Sequence, residues 1–270
     1  MFDEDRAFAI GAGAGLLDTV AGFLTEPSPR VPSEAEAVMR ELMGRGAVTY
    51  STEMVDRNGQ FSRQLEYWAA FSDVPDEVQS RLESSSVLVL GLGGTGSEFL
   101  RLMVAAGVRR YGLLDRDVVE LSNLNRQTLY RLRDVGKLKV DACSEYIADR
   151  LSDHRCVTSR RALATADDVA DIVAATDPDL TLIAVDEPPA IMPELATTLS
   201  GWDRPFLVAG VGVKHGRSYP VSAITARDAL ILGTAASIGT TNAITAAYAA
   251  HAALEHLSKT PLPFRIHHEP

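Results

Sequence analysis

Arg126 and Lys139 are fixed cations thirteen residues apart, and both lie downstream of a glycine turn, Gly91-Leu92-Gly93-Gly94-Thr95-Gly96-Ser97. Gly91, Gly93 and Gly96 give the G-x-G-x-x-G spacing, in which small residues let backbone N–H groups approach a phosphate at a helix N-terminus. Gly94 adds one more position without a side chain. Asp115 follows nineteen residues after Gly96, where a carboxylate accepts hydrogen bonds from ribose hydroxyls. Up to this point a nicotinamide or flavin dinucleotide fits as well as a nucleoside triphosphate. The run Ser122-Asn123-Leu124-Asn125-Arg126-Gln127, with Lys139 beyond it, separates the two. The pyrophosphate of a dinucleotide is handled by the helix N-terminus. Cleavage between the α and β phosphates instead builds charge on a departing pyrophosphate, which fixed cations stabilise.

The elements that must hold these residues read as an α/β fold. The spacing predicts strands at 86–90, 110–114, 156–159, 179–185, 205–213 and 218–224. It predicts helices at 96–106, 137–150, 166–174, 189–200 and 237–257. Strand and helix alternating at this spacing give a doubly wound, Rossmann-like, mostly parallel sheet with helices on both faces. Its strand C-terminal ends, among them Gly91, Asp115 and Asp186, converge on one edge where ligands sit. Residues 1–56 read as a separate small appendage, helical and winged-helix-like, and residues 57–270 as the nucleotide-binding domain. In the appendage, 15–24 reads as a short helix and 47–50 as a small strand. Between them, Ser33 and Glu36 form a capping box for a second helix with Val38, Leu42 and Met43 on its apolar face. The segment from Asp73 to Ser86 reads as a helix running into the first strand.

Composition narrows the partners. A net charge of −10 over 270 residues opposes nucleic-acid binding, and no basic run offsets it. No segment has the ~20 apolar residues that span a bilayer, and the apolar stretch from Ala7 to Leu24 lacks the positive start of a signal peptide. Two cysteines, Cys143 and Cys156, without a C-x-x-C pair, leave no structural zinc site and fit a reducing, cytoplasmic setting. Cys143 reads as a core residue.

Four linked motifs, G-x-G-G-x-G-S, D-x-D-x-V, S-N-L-N-R-Q and G-x-x-K, follow one another in this order. In this the chain resembles the ThiF-type adenylyltransferase superfamily, strongly over 87–200 and more weakly over 237–258. The resemblance implies ATP and Mg²⁺, and adenylylation of a carboxylate at the C-terminus of a peptide or small carrier protein. It implies ribose binding by Asp115, phosphate contacts by Arg126 and Lys139 with Asn123 beside them, and a magnesium-holding aspartate at Asp186. Arg63 resembles an arginine that reaches into the partner's site in a homodimer. The sequence Asp186-Glu187-Pro188-Pro189 departs from the common aspartate–asparagine form and is nearer the microcin-type, peptide-adenylating branch. That variant implies natural-product biosynthesis, with residues 1–56 as a peptide clamp. No cysteine follows Cys156, so no acyl-thioester stage is expected on this chain.

Two alternatives stay open at this level. A catalytically silent partner-binding module would keep the fold, and the short segment after Gly210 favours it. A nicotinamide-dependent oxidoreductase would share the glycine turn and Asp115.

Overall fold

The structure, a computed structural model, describes residues 36–44, 59–69, 72, 74–185, 191–211, 216–219 and 237–262. The chain divides into two units, 1–78 and 79–270, whereas composition breaks at 56/57. Residues 62–78 contain helical structure with buried Trp68 and Val78, and no glycine or proline cluster marks the break. In the first unit, helix Glu36–Gly44 begins at the predicted N3 position and buries Val38. Helix Ser62–Ala69 buries Trp68, edge-on to Tyr67 with ring centres 5.4 Å apart. The expected helix at 15–24, the capping residue Ser33 and the strand at 47–50 lie outside the described residues.

Helix Pro75–Ser84 leads into β1 (Ser86–Leu90) of the second unit. The remaining strands are β2 (Arg110–Leu114), β3 (Arg155–Ser159), β4 (Leu180–Ile183), β5 (Phe206–Val211) and β6 (Gly216–Tyr219). Their order across the sheet is β3-β2-β1-β4-β5-β6. All neighbours are parallel except β5 and β6, so the sixth strand forms an antiparallel edge. β1 is buried on both faces, as the continuous apolar run Val87-Leu88-Val89-Leu90 requires of a central parallel strand. Leu88 and Leu90 pack beneath helices Ala170–Thr176 and Ile191–Gly201, with Ile172, Leu195 and Leu199 in the same core. Val87 and Val89 alternate to the opposite face. Helix Gly239–Ser258 packs along helix Gly94–Ala106 and against β5.

Winding runs outward from β1 to β3, then restarts on the other side at β4. That reversal opens a crevice at the C-terminal ends of β1 and β4, the usual ligand position in open α/β sheets. Helix Gly94–Ala106 begins in this crevice. Gly107, at φ 95°, ends it by returning its N–H to the carbonyls of Met103 and Val104, a left-handed cap.

Candidate active site

Gly91 turns the chain out of β1 at φ 90°, with its N–H on the Leu114 carbonyl at 2.9 Å. A Cβ at Gly96 would overlap the Gly91 carbonyl, so only glycine lets the turn fold back on its own helix. Gly93 is the N-cap residue and supplies no side-chain cap. The first N–H groups of the helix, at Gly94, Thr95 and Gly96, therefore keep their donors for a ligand.

These donors open into a cleft of about 300 Å³ at the switch point. Gly91, Gly93, Gly94 and Thr95 form its floor, and Asp115, Asp117, Arg126, Gln127 and Lys139 one wall. Ala184, Val185, Met192, Ala209, Gly210 and Val211 form the other wall. Among the described lining residues, Arg116, Arg126, Lys139 and Arg161 set four cations against the two carboxylates of Asp115 and Asp117. A positive cleft in an acidic chain concentrates an anionic ligand.

Asp115 is buried, and both its oxygens accept backbone N–H groups: Oδ2 from Leu92 at 2.7 Å and Oδ1 from Asp117 at 2.8 Å. Burial pushes its carboxyl above the usual carboxylate range, and the nearby Lys139 ammonium opposes that shift. A carboxylate has about four acceptor positions, so lone pairs remain for a ligand's donors after the turn has been fixed. Lys139 is buried at the start of helix Lys139–Ala148, with Nζ 2.9 Å from Asp117 Oδ2 and 4.0 Å from Asp115 Oδ2. Its backbone N–H donates to the Asp117 carbonyl, and Val118 bridges to Leu138, so a short pairing between 117–119 and 137–139 carries the lysine back to the strand ends.

The crossover between these points is built from two 3₁₀ turns, Leu121–Asn123 and Leu132–Asp134. Asn123 is buried and its Oδ1 accepts the Glu120 N–H at 3.0 Å. Its carbonyl accepts the N–H groups of Arg126 and Gln127. Asn123 is not part of the described cleft lining; it shapes the turn that presents Arg126. The Arg126 guanidinium donates to the Ser122 carbonyl at 2.8 Å and lines the cleft. Gln127 is buried beside it, and its Oε1 has no hydrogen-bond partner. Buried polar groups are normally paired, so this amide oxygen, an acceptor, fits a ligand that brings a hydrogen-bond donor of its own into the cleft.

Several contributors have no sequence signature. Asn242, buried at the start of helix Gly239–Ser258, accepts the Thr95 hydroxyl at 3.1 Å and donates to the Ile238 carbonyl at 3.0 Å. It backs the glycine turn from more than a hundred residues away in the chain. Arg161, after β3, lines the cleft while pairing with Asp171 at 3.0 Å. Gly96 sits behind the floor. Arg63 belongs to the first unit, where it is exposed and pairs with Glu66 at 2.9 Å. Asp186 lies outside the described residues. Among those described, no group of three or more His, Cys, Asp or Glu is arranged to hold a metal, and no helix is long and apolar enough to cross a membrane. The free thiols are poor nucleophiles: Cys143 is fully buried, which pushes its pKa far up, and burial raises Cys156 to about 11.

The sequence pattern of the ThiF family matches residues 61–267, about three-quarters of the chain. The chain belongs to the ThiF family. Over 110 residues it is 42% identical to the adenylyltransferase and sulfurtransferase uba4 of Emericella nidulans, covering 41% of this chain and 22% of that protein. It is 37% identical over 124 residues to the adenylyltransferase and sulfurtransferase MOCS3 of Aedes aegypti, covering 44% and 28%. The matched region thus spans less than a third of those relatives' length. Solved structures share the fold of this chain. E. coli MccB with ATP superposes at a TM-score of 0.73 with 20% identity, over 90% of this chain and 78% of that one. PaaA superposes at 0.70 with 19% identity, over 94% and 84%. These likenesses establish the Rossmann-like fold.

Proposed function

We propose that this chain is an ATP-dependent adenylyltransferase that activates a carboxylate at the C-terminus of a peptide or small carrier protein. The observation that carries this is the meeting of Arg126 and Lys139 in one cleft with the uncapped helix N-terminus at Gly93–Gly96. The adenylyltransferase designation of the uba4 and MOCS3 relatives, and the solved complexes of E. coli MccB with ATP and with MccA, support it.

The substrate carboxylate oxygen attacks the α-phosphorus of ATP. A mixed acyl–phosphate anhydride forms, the α–β phosphoanhydride breaks, and pyrophosphate leaves with the electron pair. No proton is consumed. The glycine-turn N–H groups and Asp115 hold the nucleotide by phosphate and ribose. Arg126 and Lys139 neutralise the charge that grows on the departing pyrophosphate. For Lys139 this means exchanging part of its contact with Asp117 for phosphate oxygen. Asp186 would hold Mg²⁺, which would supply further charge neutralisation at the phosphates. Asn123 holds the Arg126 turn.

The wider reading has Arg63 completing the cleft of a partner subunit in a homodimer, residues 1–56 clamping the peptide, and a cytoplasmic setting. The description of MccB as a microcin C7 biosynthetic enzyme supports a place in natural-product biosynthesis. The test is carboxylate-dependent exchange of labelled pyrophosphate into ATP, run over a panel of peptides and carrier-protein C-termini. Exchange with at least one member, lost in Arg126→Ala, is the expected result. Absence of exchange across the panel, or tight NAD(P) binding indifferent to Arg126→Ala, overturns it.

A further inference from the structure

Leu92 is buried and its two flanking peptide planes are pinned from opposite sides. Its N–H donates to Asp115 Oδ2 at 2.7 Å, and its carbonyl accepts the Tyr130 hydroxyl at 2.7 Å. The Tyr130 oxygen also lies 3.5 Å from Cys143 Sγ. With the hydroxyl proton committed to Leu92, the thiol donates to that oxygen and the chain of donors runs Cys143, Tyr130, Leu92. A trans peptide is planar, with its C=O and N–H pointing in opposite directions. The carbonyl of Leu92 and the N–H of Gly93 belong to one such plane. Holding the carbonyl against Tyr130 therefore turns the Gly93 N–H the other way, and Gly93 lines the cleft. That N–H makes no hydrogen bond to any described residue.

We infer that Tyr130 is a positioning residue that aims the Gly93 amide at the leaving phosphates. It also joins two parts of the site, because Tyr130 stands four residues after Arg126 and its N–H donates to the Gln127 carbonyl at 3.2 Å. The arginine's segment and the glycine turn are thus locked to each other at Leu92. A second anchor of the same segment, Thr128 Oγ1 to Glu98 Oε2 at 2.8 Å, reaches the helix rather than the turn. The assignment rests on the adenylyl-transfer reading, which supplies the phosphates.

The test uses the full chain labelled with [¹³C′]leucine and [¹⁵N]glycine, so that only the Leu-Gly amides at 91, 93 and 233 appear in a carbonyl-filtered spectrum. Inorganic pyrophosphate is titrated into wild type, Tyr130→Phe and Thr128→Val. In wild type the Gly93 resonance is expected to move on binding. Tyr130→Phe should weaken pyrophosphate about tenfold and suppress that movement, and in exchange assays it should raise KM for ATP more than it lowers kcat. Thr128→Val should hold pyrophosphate affinity within about twofold of wild type. Should Tyr130→Phe fail to fold, the wild-type titration alone decides. Pyrophosphate binding that leaves Gly93 unmoved, or that is unchanged in Tyr130→Phe, overturns the role of Tyr130 while the functional reading stands. A wild-type protein that binds neither pyrophosphate nor ATP overturns both.

Discussion

The two walls of the cleft are made of different materials. On the β1–β2 side, the lining residues Asp115, Asp117 and Lys139 are tied to the backbone and to one another by hydrogen bonds and ion pairs, and Asn123 and Tyr130, outside the lining, bond to the backbone of the neighbouring turns. On the β4–β5 side, the described lining is Ala184, Val185, Met192, Ala209, Gly210 and Val211, with small or apolar side chains and no charge. The first wall is fixed in position before any ligand arrives, as charge stabilisation demands. The second offers shape. Under the adenylyl transfer proposed above, the polar wall would face the charged nucleotide and the apolar wall the acyl substrate.

The largest expected effect attacks the polar wall. Lys139→Ala or Arg126→Ala should lower the exchange rate by on the order of 10²–10³, measured at saturating carboxylate. Next, Gly210→Val should raise the KM of the acyl substrate by about tenfold or more while that of ATP moves less than about twofold. Equal effects on both would erase the distinction between the walls. Gly91→Ala is third. It places a Cβ against the Ala184 carbonyl at a positive φ, and should cost about 3 kcal/mol, a fall in Tm of roughly 6–12 °C by calorimetry.

The smallest effect concerns the buried acid. Burial raises the Asp115 carboxyl above its unfolded value despite Lys139, so the folded protein holds that proton more tightly than the unfolded chain. Its ionisation costs stability as pH rises from the unfolded value, 3.8, through the folded one, and the cost persists above it. Asp115→Asn removes this dependence. The difference in Tm between Asp115→Asn and wild type should therefore move in favour of the variant between about pH 4 and pH 7, read by thermal melts across that range. A difference that moves the other way would mean that Lys139 outweighs burial.

The polar wall was legible in the sequence because its chemistry restricts residue type and spacing together. Gly91, Gly93, Asp115, Arg126 and Lys139 were placed by motif, and all five line the cleft. The central strand and the alternation around it followed from apolar runs of strand length. Residues whose role depends on distant partners escaped. Asn242 backs the turn only because helix Gly239–Ser258 packs along helix Gly94–Ala106. Tyr130 reads as an ordinary aromatic until the fold brings its hydroxyl to Leu92. Asn123 carries the right type in the right motif, yet its side-chain oxygen is spent on its own turn. The antiparallel pairing of β6 has no local cause in its four residues. The apolar wall gave no signal, since alanine, valine and glycine at a strand end resemble any core.

A crystal structure of the protein with a non-hydrolysable ATP analogue tests the central claim most directly. The account predicts the triphosphate seated on the Gly93 and Gly94 amides, with the Arg126 guanidinium and the Lys139 ammonium in contact with its oxygens. Phosphates lying elsewhere, with both cations turned toward solvent, would contradict it.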